Sequence, residues 1–269
     1  MAETLLIERD GPLVWLTFNR PERLNALNGT LLGELAAALV DLKDDATARV
    51  IGIRGAGRAF SAGYDMRSSE DAPEGASAEP DIVDDFEHLC HNLRIFESIW
   101  DFPKPVIAAV HGYCLAGATQ LCVECDMTIV ARDAQIGFPA IPAGGGYISP
   151  MWMLFVGPKR AKQMSFVASS RISGQTAVEW GWANYAVEPD QLFDDVAALA
   201  RRIAKIPAPI IRMKKYSINR AAEVQGFRLI PQLGAETDAL LHYSEAVKEL
   251  QAMTRSLGMK AAIKHFQES

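Results

Sequence analysis

Residues Lys104–Ala131 read KPVIAAVHGYCLAGATQLCVECDMTIVA, and the order of signals within them decides the fold class. The run from Val106 to Val110 is short and wholly apolar and follows the breaker Phe102-Pro103-Lys104-Pro105, as a buried strand would. Small residues then turn the chain at Ala116-Gly117, a helix is expected over Gly117–Cys125, and Met127–Ala131 reads as a second buried strand. Strands covered on both faces and joined through a helix indicate an α/β arrangement. At the first turn of that helix, where a carboxylate would suit an active site, the sequence has Gln120.

The alternation extends outward in both directions. Leu5–Arg9 and Leu13–Phe18 flank Asp10-Gly11-Pro12 as a hairpin, Asn28-Gly29-Thr30 precedes the helical period of LLGELAAALVDLKDD, and Val50–Arg54 is a buried strand. A further helix runs through FEHLCHNLRIFESIW, the stretch Phe138–Tyr147 is a loop rich in Gly and Pro, and a helix follows toward Val156. Past Pro158 almost everything reads as helical, with one helix starting at Gly174 and another after Asp190. Arg67–Asp85 is acidic, small and Pro-containing, and is expected to be a mobile loop placed as a lid. The division is an α/β core over residues 1–190 and a helical association region over 191–269, too apolar to stand alone.

The 269 residues, 49% of them hydrophobic, suffice for a large core without disulfides or metals. A net charge of −6 and the absence of any basic stripe argue against nucleic acid as a partner. No secretory signal pattern or long apolar run is read, so a soluble cytoplasmic protein with no membrane partner is expected. Cys90, Cys114, Cys122 and Cys125 lack zinc spacing and are expected as buried reduced thiols, with no metal site.

Several motifs compete for the chemistry. Ile51–Gly57 resembles a dinucleotide fingerprint, but Phe60 stands where its last glycine belongs and no acidic residue follows at the required distance. Ala59-Phe-Ser61-Ala-Gly63 approaches a nucleophile elbow, yet Ser61 lies too far beyond its strand. The turns Ala62-Gly63-Tyr64 and Ala116-Gly117-Ala118 each put backbone N–H groups where the next element starts; converging, they would form an oxyanion hole. Glycine would equally serve there to relieve backbone strain, and spacing alone leaves both readings open.

NRPERLNALN (19–28), RAFSAGYDM (58–66), KPVIAAVHGYCLAG (104–117), CDMTIVARDAQIGFP (125–139) and GWAN (181–184) together resemble the enoyl-CoA hydratase/isomerase, or crotonase, superfamily, in collinear order across residues 5 to 266. The resemblance implies a spiral of β-β-α turns with a C-terminal helical region, assembly as a homotrimer or hexamer, and an acyl-CoA thioester as substrate. Coenzyme A would enter as part of the substrate, with no separate cofactor. By position, the N–H groups of Tyr64 and Gly117 would hold the thioester oxygen. Arg23, Leu24 and Ala26, with Ala62, Asp65 and Met66, would border the adenosine and pantetheine arm, and Arg23 and Lys264 are candidates for neutralising its phosphates.

The pattern breaks where hydratases of this family carry two glutamates: Gln120 and Ala140 stand there, and the loop that follows Ala140 is a few residues shorter than the hydratase form. Gln120 can orient a water but cannot take its proton near neutral pH. Glu124 lies one turn further along the same helix face, about 6 Å along the axis, and burial would raise its pKa into a useful range. Its alternative is a structural ion pair. Tyr147 in the shortened loop, His88 and His91 on the preceding helix and Asp65 as a turn carboxylate are weighed alongside it. Tyr64, Phe138, Tyr147, Met151 and Trp152 would give an aromatic, sulphur-containing pocket for a bulky or cyclic acyl group. The expected function is therefore an acyl-CoA enzyme acting through an enolate, by hydration, isomerisation or related cleavage. A thioester or carbon–carbon hydrolase on the same fold and a catalytically silent acyl-CoA-binding protein stay open.

Overall fold

The computed structural model describes residues 4–65, 81–139, 141–142, 144 and 149–267. The chain opens with β1 (Leu5–Asp10) and β2 (Leu13–Phe18), an antiparallel hairpin pairing Leu5 with Phe18 and Asp10 with Leu13. Helix α1 (Gly29–Lys43) is capped by Asn28, whose Oδ1 accepts from Leu31 N at 3.0 Å. Strand β3 (Val50–Gly55), helix α2 (Ile82–Trp100) and strand β4 (Val106–Val110) follow. Next come β5 (Tyr113–Leu115), α3 (Gly117–Glu124), β6 (Met127–Ala131) and β7 (Gln135–Gly137). Helix α4 (Ser149–Phe166) breaks at Gly157, which has φ 77° and precedes Pro158. The remainder is β8 (Arg171–Ser173), α5 (Gly174–Glu179), β9 (Tyr185–Val187), α6 (Leu192–Ala204), α7 (Ala208–Val224), α8 (Leu229–His242), α9 (Glu245–Leu257) and α10 (Met259–Gln267).

One sheet has the order β1-β2-β3-β4-β6-β9, parallel beyond the first hairpin, and a smaller one the order β5-β7-β8. Every residue of β2 and β4 is buried, as parallel strands covered on both faces must be. A parallel bridge between Ser61 and Cys114 attaches the chain after β3 to the small sheet. Successive turns thus lay a long strand in one wall and a short segment in the other before a helix returns, which is the α/β β-β-α spiral. The core between the walls includes Phe18, Ile51, Ile53, Phe60, Phe96 and Trp152. Helix α6 adds Leu192, Val196, Ala197 and Ala200 to that core and packs on β3, β4 and β6.

The structure corrects several local readings. The stretch past Pro158 is not almost wholly helical, because β8 and β9 lie in it. These strands, like β5 and β7, span three residues each, too few for a period to register. Ile82–Asp85 belongs to α2 rather than to a loop, its first-turn Asp84 and Asp85 suiting a helix N-terminus; the lid expected over residues 67–80 lies outside the described residues. Cys114, Cys122 and Cys125 are buried free thiols, whereas Cys90 is half-buried on α2. No helix among the described residues is long and apolar enough to cross a membrane.

Candidate active site

Two turns from distant parts of the chain meet at the start of α3. The first is fixed from below by Asn25, a buried left-handed residue with φ 54°. Its Nδ2 donates to Ala56 O at 2.8 Å and Ala59 O at 2.7 Å, and its Oδ1 accepts from Arg20 N at 2.9 Å. Ala62 N donates to Leu24 O at 2.9 Å, Leu27 N to Gly63 O at 2.8 Å and Asp65 N to Leu27 O at 3.0 Å. Since both neighbours of Tyr64 bond Leu27, extended geometry turns the N–H of Tyr64 to the opposite side.

The second turn holds Ala116 at φ 52° and ψ −126°, a conformation costly for a residue with a Cβ. Ala116 N donates to Gly137 O at 2.9 Å, while Ala116 O accepts from Thr119 N at 2.9 Å and Thr119 Oγ1 at 2.7 Å. Trp152 Nε1 in turn donates to Thr119 Oγ1 at 3.1 Å, so a fully buried indole braces the strained turn. Gly117 follows as the first residue of α3, where a helix offers its N–H no internal acceptor. The turns touch: a Cβ on Gly63, itself at φ +91°, would lie 3.1 Å from Gly117 N and 2.7 Å from Ala116 Cβ. A Cβ on Gly117 would lie 2.4 Å from Tyr64 Cε2, so the tyrosine ring rests on the glycine. Glycine at 63 and 117 therefore permits contact as well as conformation. Such a pair of N–H groups can stabilise negative charge on a carbonyl oxygen without any charged side chain.

Below the turns α3 is buried along its whole length. Gln120 is 0% exposed; its Oε1 accepts from Tyr64 Oη at 3.3 Å, and its Nε2 has no partner. Turning the amide over would exchange these roles and still leave one buried polar atom unmatched. Tyr64 also stacks on Phe96 of α2, with centroids 6.2 Å apart. One helical turn deeper, Glu124 is 1% exposed and neither carboxyl oxygen has a hydrogen-bond partner. It is not the structural ion pair that was its alternative. Burial, reinforced by Glu97, pushes its pKa up to about 8. At neutral pH Glu124 is thus a carboxylic acid capable of donating a proton.

The other sequence candidates fall into place around this centre. Leu24 and Ala62 meet through their hydrogen bond, and Ala26 is buried beside them. Asp65 is paired with Arg20 Nη2 at 2.7 Å, and Arg20 Nη1 donates to Ala26 O at 2.5 Å. Arg20, absent from the sequence candidates, joins the two segments; the one available signal was its place in the NRPERLNALN motif. Arg23 is exposed on a short 3-10 turn, and Lys264 is exposed on α10. Met66, Ala140 and Tyr147 lie outside the described residues. His88 and His91 are exposed on α2, not directed at the centre. Met151 and Trp152 are 0% exposed core residues, with Trp152 against Phe138 and Trp182, so the expected aromatic pocket loses both. Ser61 is buried and its Oγ accepts from Gly63 N at 3.1 Å, a turn-bracing role.

The sequence matches the family described as Enoyl-CoA hydratase/isomerase over residues 8–261. It is 34% identical over 228 residues to a probable enoyl-CoA hydratase of Rhizobium meliloti, covering 82% of this chain and 83% of that one. It is also 32% identical over 227 residues to the 1,2-epoxyphenylacetyl-CoA isomerase of Escherichia coli, covering 82% of this chain and 84% of that one. Among solved structures, a putative enoyl-CoA hydratase/isomerase from Novosphingobium aromaticivorans superposes with a TM-score of 0.91 at 38% identity, covering 98% of this chain and 94% of that one.

Proposed function

Because the chain belongs to the enoyl-CoA hydratase/isomerase family, we propose that it is a cytosolic acyl-CoA enzyme that holds the thioester oxygen between the N–H groups of Tyr64 and Gly117 and works through the enolate so stabilised. The observation that carries this reading is the contact of the two turns, maintained by glycine at 63 and 117 and by the strained Ala116. Each such donor contributes about 3 kcal/mol to a developing oxyanion. Leu24, Ala26, Ala62 and Asp65, with Met66 beyond, border the CoA arm, and Arg23 and Lys264 supply positive charge to its phosphates.

Gln120 orients the reacting group or a water but takes no proton. Glu124 is the relocated acid/base: neutral at pH 7 and one turn from Gln120, its acceptors and the Gln120 amide both unmatched on the same helix. A single available acid/base suits shifting a proton on the enolate, as in isomerisation or a related cleavage, better than hydration, which must manage both protons of water. Tyr147, from the shortened loop, is a second candidate acid. The stacked Tyr64 and Phe96 rings are the remaining support for a bulky or cyclic acyl group. Exposed Ile210, Met213, Tyr216 and Ile218 on α7, with Leu233 and Leu240 on α8, support assembly as a homotrimer or hexamer. Light scattering at low concentration tests it, and monomers would remove it.

The central test is a panel on the purified protein: hydration of crotonyl-CoA and cyclic enoyl-CoAs, double-bond migration, release of free CoA, and CoA-ester affinity by calorimetry. Turnover with weak or absent hydration is expected. Tight binding with no turnover would instead favour the catalytically silent binding protein, and failure to bind any CoA ester would remove the reading.

A further inference from the structure

The peptide that joins Ala116 to Gly117 supplies the N–H at the start of α3, and its orientation is set from the carbonyl side. Ala116 O accepts from Thr119 N at 2.9 Å and from Thr119 Oγ1 at 2.7 Å, which draws the carbonyl toward the helix. A trans peptide carries its C=O and N–H on opposite edges, so the same two bonds turn the N–H of Gly117 outward. Thr119 Oγ1 has one proton to give. Because Trp152 Nε1 donates to that oxygen at 3.1 Å, the proton is left for Ala116 O. Thr119 and Trp152 are both 0% exposed, so water does not compete for these bonds.

The orientation is held against the preference of the backbone. Ala116 stands at φ 52° and ψ −126°, outside the regions open to a residue with a Cβ. Half a turn of the 116–117 peptide would bring its ψ into the left-handed region, which its φ already fits. Gly117, without a Cβ, can follow that rotation in φ. In the relaxed arrangement a carbonyl oxygen would stand where the N–H had pointed.

Resting on the oxyanion reading above, we propose that Thr119, oriented by Trp152, is a positioning residue that locks the Ala116–Gly117 peptide in its strained, donor-outward state and so decides whether the oxyanion site exists. A flipped peptide would present lone pairs to the developing negative charge and repel it. The CoA arm would still be held, so loss of the lock removes turnover rather than affinity.

Thr119→Val is nearly isosteric and removes the hydroxyl's bond. With the best substrate of the panel kcat is expected to fall about tenfold, while KM moves by less than about twofold. The infrared carbonyl band of bound butyryl-CoA, isotopically labelled at the thioester carbon, reports on the N–H groups without any turnover. It should lie lower on the parent protein than in free solution and return most of the way in the valine variant. Thr119→Ser should restore both readouts. Ala116→Gly added to Thr119→Val should restore them too, because glycine holds the donor-outward conformation without strain. A threonine that only fills the core gives no such rescue. If the valine variant fails to fold, Trp152→Phe takes its place: the hydroxyl stays but loses its orientation, with about threefold lost in kcat and the same rescue by Ala116→Gly. Parental kcat and carbonyl band in the folded variant, or a loss that Ala116→Gly leaves untouched, would overturn the proposal while leaving the oxyanion reading intact. A parent protein that binds no ester, or binds it with no lowering of the band, would overturn both.

Discussion

The two ends of α3 are built on opposite terms. At its N-terminus backbone polar groups are turned outward by a strained Ala116 and two glycines in contact, and a buried tryptophan braces the arrangement. At its C-terminus a carboxylic acid is enclosed with no hydrogen-bond partner for either oxygen. The first end stores conformational strain of about 1–3 kcal/mol, and the second stores desolvation. Both costs are borne by one eight-residue helix packed into the core, and both leave groups poised to interact rather than satisfied. Cost without local compensation, at two positions one helix apart, is what supports placing the proposed chemistry here.

The comparison is most sharply tested at the N-terminal end. Gly117→Ala would drive a Cβ to 2.4 Å from the Tyr64 ring and part the two turns. A loss of about 1,000-fold in kcat/KM is expected for the best substrate of the panel, with the circular dichroism spectrum retained. Activity within tenfold of the parent would show that the paired N–H groups are not the oxyanion site.

Glu124→Gln probes the other end with an isosteric, uncharged side chain. A turnover loss of about 100-fold is expected if the acid acts on the reaction. Its stability signature is independent of any substrate. The folded-state pKa of about 8 lies above the ordinary 4.5, so the carboxyl's contribution is fully present below 4.5 and is lost as pH rises through 8. The variant should match the parent in thermal midpoint near pH 4.5 and exceed it above pH 8, where the parent has lost unfolding free energy on the order of a few kcal/mol. Parallel melting curves at both pH values would mean that Glu124 ionises normally.

The smallest effect is expected between the ends. Tyr64→Phe keeps the ring over Gly117 and removes the 3.3 Å hydrogen bond to Gln120. About 1 kcal/mol, or roughly fivefold in kcat/KM, should be lost. A loss as large as that of Gly117→Ala would shift the chemistry from the backbone to the phenol itself.

Much of this was legible in the sequence, unevenly so. The long apolar runs of β2, β3, β4 and β6 were readable because burial on both faces leaves continuous apolar stretches. The three-residue strands were not, since they are held in place by pairing partners far along the chain, as Cys114 is by Ser61 and Ile136. Glu124 was legible as a residue on the Gln120 face of the helix, but its lack of any partner was not. Trp152 looked like a pocket aromatic and is instead a brace. Arg20 carried no periodic or spaced signal, because it pairs across 45 residues with Asp65.

By itself the sequence determined the α/β class, the glycines at 63 and 117 and the presence of Gln120 and Ala140 where the resemblance leads one to expect carboxylates, since each of these is a local property of residue type and order. Only the tertiary structure decided that the two turns touch, that Glu124 is enclosed without a partner and that Trp152 donates to Thr119 in the first turn of α3. Contact, desolvation and pKa depend on what surrounds a residue in space, and the contacts that join the two turns come from segments more than fifty residues apart along the chain.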